Sequence, residues 1–208
     1  MEDTAISELY VVRHGQSTWN VESRFTGQVD APLSPAGHEQ AAALARRCLG
    51  LGLDAVVTSD LKRARATGQA VANHLGLPEP VGLPLLRERW SRDLQGMARE
   101  DIEARYPGQI AAWREARPIS LPGENEAYDA FATRVTEGLR EAAGHGRRVL
   151  VVAHAGMFVV LDQLTGRAEA GGVANAEGRH LQVLPDGVIE VGDAFRPTGA
   201  VRSGFQDP

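Results

Sequence analysis

Three short stretches carry residue types that can do phosphoryl chemistry. Arg13-His14-Gly15 follows the apolar run Leu9–Val12, Thr58-Ser59-Asp60 precedes Arg63, and His154-Ala155-Gly156 follows Val149–Ala153. A neutral imidazole, with an ordinary pKa of about 6.5, is an adequate nucleophile near neutral pH and can attack phosphorus to form a phosphohistidine. A phosphoryl group repels any nucleophile until positioned donors neutralise its oxygens, and guanidinium groups suit that task. His14 therefore reads as the nucleophile, Arg13 and Arg63 as the neutralising cations, and a protonated His154 as a further donor. The departing alcohol needs an acid. Glu88, within Leu85–Trp90, is the candidate. Taken singly, each residue has an ordinary structural reading: a strand-ending histidine is commonly a hydrogen-bonded one, and Arg63 or Glu88 alone would pass for a solvated charge.

Other chemistries lack their residues. There is no GxxxxGK[ST] loop, no GxGxxG after the first apolar run, no HExxH and no GxSxG. Cys48 is followed six positions later by Asp54 rather than by the arginine of a cysteine-phosphatase loop. The histidines do not pair with carboxylates or cysteines at metal-ligand spacing, so no metal and no cofactor are expected. His38, His74, His145 and His180 read as structural.

The elements that must position these residues follow from apolar patterning. Leu9–Val12, Asp54–Ser59 and Arg147–His154 read as buried parallel strands. Ser34 and Pro35 open a helix that ends at Gly50. A second helix follows Asp60, with Leu61, Ala64, Gly68, Val71, Ala72 and Leu75 inward, Lys62, Arg63 and Arg65 on its polar face, and Gly76 closing it. A third spans Glu124–Ala143, with Tyr128, Phe131, Val135 and Leu139 toward the core. Pro185-Asp186-Gly187 separates two further strand-like runs, and from Asp193 onward the pattern is irregular. The sum is an α/β chain: a three-layer α/β/α sandwich with a mostly parallel central sheet. In such sheets ligands collect at the carboxyl ends of the parallel strands, where all three chemical stretches fall.

With 208 residues, 43% of them hydrophobic, one domain over residues 1–208 suffices, with 193–208 as its tail. Net charge of -5 disfavours nucleic acid and anionic membranes and points to a small partner, which the phosphoryl chemistry above makes a phosphorylated metabolite. The amino terminus has no basic region followed by an apolar core, so a cytoplasmic location is expected. Cys48, among Ala41, Leu44 and Ala45, reads as a core residue. The oligomeric state stays open, and a homo-oligomer is compatible with the sequence.

The ordered stretches "LYVVRHGQSTWN", "RFTGQVDAPLSPAGHEQA", "TSDLKRARATGQAVA", "LRERWSRDLQG" and "VVAHAGM" resemble the successive motifs of the histidine phosphatase superfamily, in its phosphoglycerate-mutase-like branch. The resemblance implies that His14 is phosphorylated, that Arg13, Arg63 and His154 complete the phosphate pocket, and that Glu88 donates the proton. It also implies that Asn20 and the Thr26-Gly27 turn touch phosphate or substrate, with Gln16 and Arg89 as weaker candidates. Ala155 stands where relatives usually carry glycine or another small residue. Departures from the mutase pattern favour hydrolysis: Trp90-Ser91-Arg92 replaces the mutases' HYG, Glu115 follows Trp113-Arg114 where mutases have a second arginine, and the segment before the third helix is short. The expected activity is a metal-independent phosphatase. The alternatives are a cofactor-dependent phosphoglycerate mutase and, in another class, a catalytically silent binding module of the same fold.

Overall fold

The structure, a computed structural model, describes residues 6–114, 120–165 and 173–196. Strands β1 (Ser7–Arg13), β2 (Ala55–Thr58), β3 (Val81–Gly82), β4 (Arg148–Ala153), β5 (Gly178–Val183) and β6 (Ile189–Phe195) form one sheet in the order β3-β2-β4-β1-β5-β6. The first four run parallel, and β5 and β6 add an antiparallel edge. Strand alternation divides the apolar side chains between two cores. Leu9, Val11, Val149 and Val151 meet Phe131, Val135, Leu139 and Leu161 from α6 (Tyr128–Ala143) and α7 (Ala155–Thr165). Val12, Leu150 and Val152 meet Leu44, Ala45, Ala64 and Val71 from α2 (Pro35–Arg47) and α3 (Lys62–Leu75). The expected α/β/α layers are therefore present. Cys48 lies in the second core.

The expected caps are present too. The Ser34 hydroxyl accepts from Gly37 N–H at 3.0 Å, Pro35 fills the first helical position, and Gly76 closes α3 with φ of 68°.

Four expectations need correction. The helix begun at Pro35 ends at Arg47, three residues before Gly50. The third long helix begins at Tyr128 rather than Glu124, because Asn125 and Glu126 are held by Ser91, Arg89 and Trp90 in a non-helical approach. β6 stays paired with β5 as far as Phe195, across a register shift between Arg179 and Leu181, and the Phe195 ring packs on Tyr10, so residues 193–195 belong to a strand. Arg63 is not on a polar face: it is 1% exposed. The remainder of the tail, 197–208, lies outside the described residues, as do Glu115 and Pro118.

Between β3 and α6 the chain builds a smaller unit that periodicity did not reveal. A 3-10 turn (Pro84–Leu86) leads into α4 (Arg99–Arg105) and α5 (Gln109–Arg114), and Leu94, Ile102 and Leu121 form its own small core with Phe25 and Met97. Early in the chain, α1 (Thr18–Val21) is a single turn closed by a Ser17–Asn20 capping box. Among the described residues, no helix is long and apolar enough to cross a membrane.

Candidate active site

Register explains why the two histidines meet. β1 and β4 pair in parallel with Arg13 opposite Ala153, so His14 and His154 leave neighbouring strands at the same level. Their rings stand 5.1 Å apart at 61°. His14 N–H continues the ladder to Ala153 O at 3.0 Å, and Asn175 Nδ2 donates to His14 O at 2.9 Å. The His14 ring is bonded on both edges. Nδ1 lies 2.6 Å from Gly15 O, so that nitrogen carries the proton, and Arg63 Nε donates to Nε2 at 3.2 Å. The lone pair therefore sits on Nε2, facing the guanidinium.

Arg63 reaches this position from the first turn of α3. Its Nη1 donates to Val29 O at 2.8 Å and its Nη2 to Gly27 O at 2.7 Å, so the Thr26-Gly27 turn fixes the plane of the fork. Gly27 adopts φ of 50°, and a Cβ there would strike the Gln95 side chain at 2.6 Å. Burial pulls the Arg63 pKa down to about 10, opposed by the nearby charges of Glu88 and Asp30, so the group stays a cation at neutral pH. Its hydrogen bonds go to two carbonyls and an imidazole. Arg13, 6% exposed, donates Nη1 to Val173 O at 3.0 Å.

The field at the histidines follows from these neighbours. Burial, then Arg63, then Arg13 hold the His14 pKa well below the usual 6.5, outweighing the Gly15 hydrogen bond. His154 is also well below 6.5, through burial first and then Arg63, His14, Arg13 and Arg134. The protonated His154 expected from sequence is therefore not the form favoured in the ligand-free site. Neither ring nitrogen of His154 has a hydrogen-bond partner among the described residues. A buried cation and an imidazole with no partner among the described residues, side by side, make an environment whose polarity suits an anion.

Glu88 stands at the rim of this pocket. Its Oε2 accepts from Gly156 N–H at 3.1 Å, at the start of α7, and its Oε1 accepts from Arg89 N–H at 2.8 Å. A Cβ at Gly156 would fall 2.3 Å from Glu88 Oε1, so any larger residue there would displace the carboxylate. Glu88 is not held between its arginine neighbours. The Arg87 guanidinium pairs bidentately with Asp60, at 2.7 and 2.5 Å, and that of Arg89 turns to Glu126 O at 2.9 Å.

The other candidates divide. Asn20 caps α1, its Oδ1 accepting from Ser17 N–H at 3.0 Å, and the Gln16 side chain accepts from the Ser34 hydroxyl at 2.9 Å. The Thr26 hydroxyl oxygen is buried without a partner among the described residues. Ala155 is exposed at the first position of α7. The structure thus places His14 against both Arg63 and His154, keeps Arg13 and Glu88 within reach of their charges, and directs the Arg89 side chain toward Asn125–Glu126.

Sequence reasoning missed several supports. Thr67, one turn after Arg63, accepts from Gly15 N–H at 3.0 Å and donates to Arg63 O at 2.8 Å, tying the nucleophile's loop to α3. Its helical spacing from Arg63 was a usable signal. Gly37 lies against Gly15 so closely that a Cβ on either would meet the other segment's backbone, at 2.5 Å from Gly37 O or within van der Waals exclusion of Gln16 O. Arg134 and Asn175 act across long separations and had no local signal. Among the described residues, no three His, Cys, Asp or Glu side chains gather as a metal cluster.

Comparison with known proteins adds context to this geometry. A metal-independent phosphoserine phosphatase of Arabidopsis thaliana is 34% identical over 182 residues, covering 84% of this chain and 75% of that protein. A 2,3-bisphosphoglycerate-dependent phosphoglycerate mutase of Chelativorans sp. (strain BNC1) is 37% identical over 170 residues, covering 76% of this chain and 82% of that protein. The solved structure of a mycobacterial glucosyl-3-phosphoglycerate phosphatase matches with a TM-score of 0.75 at 29% identity, over 89% of this chain and 97% of that one. The family profile of the histidine phosphatase superfamily, branch 1, matches residues 9–186, and the chain belongs to that family.

Proposed function

We propose that the protein is a phosphomonoesterase that hydrolyses a small phosphorylated metabolite through a phosphohistidine at His14, without a metal. The observation that carries this reading is the His14 ring, neutral, with Nδ1–H turned to Gly15 O and its Nε2 lone pair facing the buried Arg63 fork. Nε2 attacks phosphorus, the ester P–O bond breaks, and Glu88 in its acid form passes a proton to the leaving alkoxide. Arg63 and Arg13 neutralise the equatorial oxygens. A bound dianion also places negative charge beside His154, opposing the arginine field that keeps its proton off, so His154 becomes a donor when substrate is present. Water then attacks the phosphohistidine as Glu88 takes its proton, the P–Nε2 bond breaks with its electron pair returning to His14, and inorganic phosphate leaves.

The Arabidopsis and mycobacterial phosphatases support hydrolysis, and the mutase relatives support return transfer. Ser91 favours hydrolysis: it is 0% exposed, locked in a bridge to Asn125, and offers no aromatic ring at the position of the mutases' tyrosine.

The test incubates the protein with 3-phosphoglycerate and a trace of the bisphosphorylated primer, following free phosphate and 2-phosphoglycerate together, beside a panel of phosphorylated sugars, amino acids and nucleotides. Phosphate release that survives EDTA, with an acid-labile phosphoenzyme absent in His14→Ala, is expected. Isomerisation with little phosphate would make it a mutase. Tight anion binding with no turnover of any substrate would make it a binding module.

A further inference from the structure

Glu88 lies on neither helix nor strand. It follows the 3-10 turn in an extended segment whose carbonyls have no ladder to join, so its position depends on what satisfies them. Gln28 Nε2 donates to Glu88 O at 3.0 Å, and a single guanidinium ties three of the carbonyls together. Arg134, on α6, donates Nη1 to Leu85 O at 2.7 Å and Arg87 O at 2.9 Å, and Nη2 to Glu88 O at 3.4 Å. The same guanidinium grips Glu126 bidentately, with Nε to Oε1 and Nη2 to Oε2 both at 2.8 Å. Glu126 closes the far side: its Oε2 accepts from Trp90 N–H at 3.3 Å, and its own N–H donates to Trp90 O at 3.0 Å. The Arg134 and Glu126 side chains are only 19% and 17% exposed, so this clamp is largely dry. Gly138, one turn further along α6, lets the helix approach, since a Cβ there would fall 2.8 Å from Leu86 Cδ2.

We propose that Arg134, through its fork to the 85–88 carbonyls and to Glu126, is a positioning residue that sets the Glu88 carboxyl for proton donation; this rests on Glu88 as the proton donor. Two backbone N–H groups orient the head of Glu88, and Arg134 holds its base. A lysine would keep the charge but could not bridge two carbonyls and a carboxylate in one plane. Loss of the fork should therefore impair the step that needs the proton and spare the one that does not.

The experiment compares p-nitrophenyl phosphate, whose leaving group departs without an acid, with phenyl phosphate and glycerol phosphate, whose leaving groups need one. Glu88→Gln sets the reference, with a loss of about 10²-fold or more in kcat/KM, which reports only phosphoryl transfer to His14, confined to the poor leaving groups, and the variants below are compared by the same constant. Arg134→Gln and Arg134→Lys should each show the same selectivity, with losses of about 10-fold or more on the poor leaving groups and little change on p-nitrophenyl phosphate. Glu126→Gln, which keeps the packing, should show a weaker version and carries the test if the Arg134 variants do not fold. Full recovery in Arg134→Lys would mean that charge rather than the fork matters and would overturn the proposal, as would equal losses on all three substrates. No selectivity in Glu88→Gln would instead overturn the assignment of Glu88 itself.

Discussion

The floor of the site and its rim are built differently. At the floor, His14, Arg63 and His154 are each under 5% exposed, and they are held by backbone ladders, carbonyls and one another. At the rim, Leu94, Ile102 and Leu121 make a small separate core, and ion pairs such as Arg92–Glu124 and Arg24–Glu22 stand in water. The floor is dry and closely held, as transition-state stabilisation needs, whereas the rim rests on a smaller core and on ion pairs in water. The two parts thus differ in burial and in what holds them.

The comparison is broken most directly at Arg63. Arg63→Lys keeps a cation but loses the fork that Gly27 and Val29 orient, so kcat/KM for p-nitrophenyl phosphate should drop about 10²-fold or more. A loss under threefold would show that the floor needs charge alone. A smaller effect is expected at Thr67, which touches no reacting atom. Thr67→Val removes the bond to Gly15 N–H and should lower kcat about 10-fold with KM little changed, and Thr67→Ser should restore it.

Stability against pH sharpens the contrast further. His14 and His154 have folded pKa values below the unfolded 6.5, so both are neutral in either state above that pH. As pH falls through 6.5, the unfolded chain takes up protons that the folded site refuses, and stability falls. The loss is at most about 1.4 kcal/mol per pH unit per histidine until the folded values are reached. Urea midpoints at pH 7 and pH 5 should therefore converge in His154→Gln relative to the wild type. An unchanged difference would contradict the neutral floor. The smallest effect belongs to the rim: Arg92→Ala, removing an exposed pair with Glu124, should leave the melting temperature within error of the wild type.

The floor was largely legible in the sequence because it consists of strand ends. Continuous apolar runs locate β1, β2 and β4, and the residues that follow them must share one edge of the sheet. Arg63 shows where such reading stops. Its place among Lys62 and Arg65 assigns it to solvent, and only the loop of Gly27 and Val29, which closes over α3 from 34 to 36 residues away, supplies the carbonyls that make its burial tolerable. The start of α6 was misplaced for a related reason. Glu124–Glu126 have helix-compatible side chains, but the pairing with Ser91 and Trp90 outweighs local propensity. The rim's α4 and α5 are short, and the core they cover is too small to leave a period in the sequence.

The contact between Gly15 and Gly37 has a consequence for anyone who would alter this enzyme. Two main chains touch there without a side chain between them, so no rotamer can absorb a displacement. Any tilt of α2 is passed on undamped to the peptide that receives the His14 Nδ1 proton. Substitutions that shift this helix, such as Leu44 on its own buried face to a smaller residue, should change turnover before they change the fold. In this molecule the outer helix works as a gauge block for the nucleophile, and libraries aimed at activity need not be confined to the pocket.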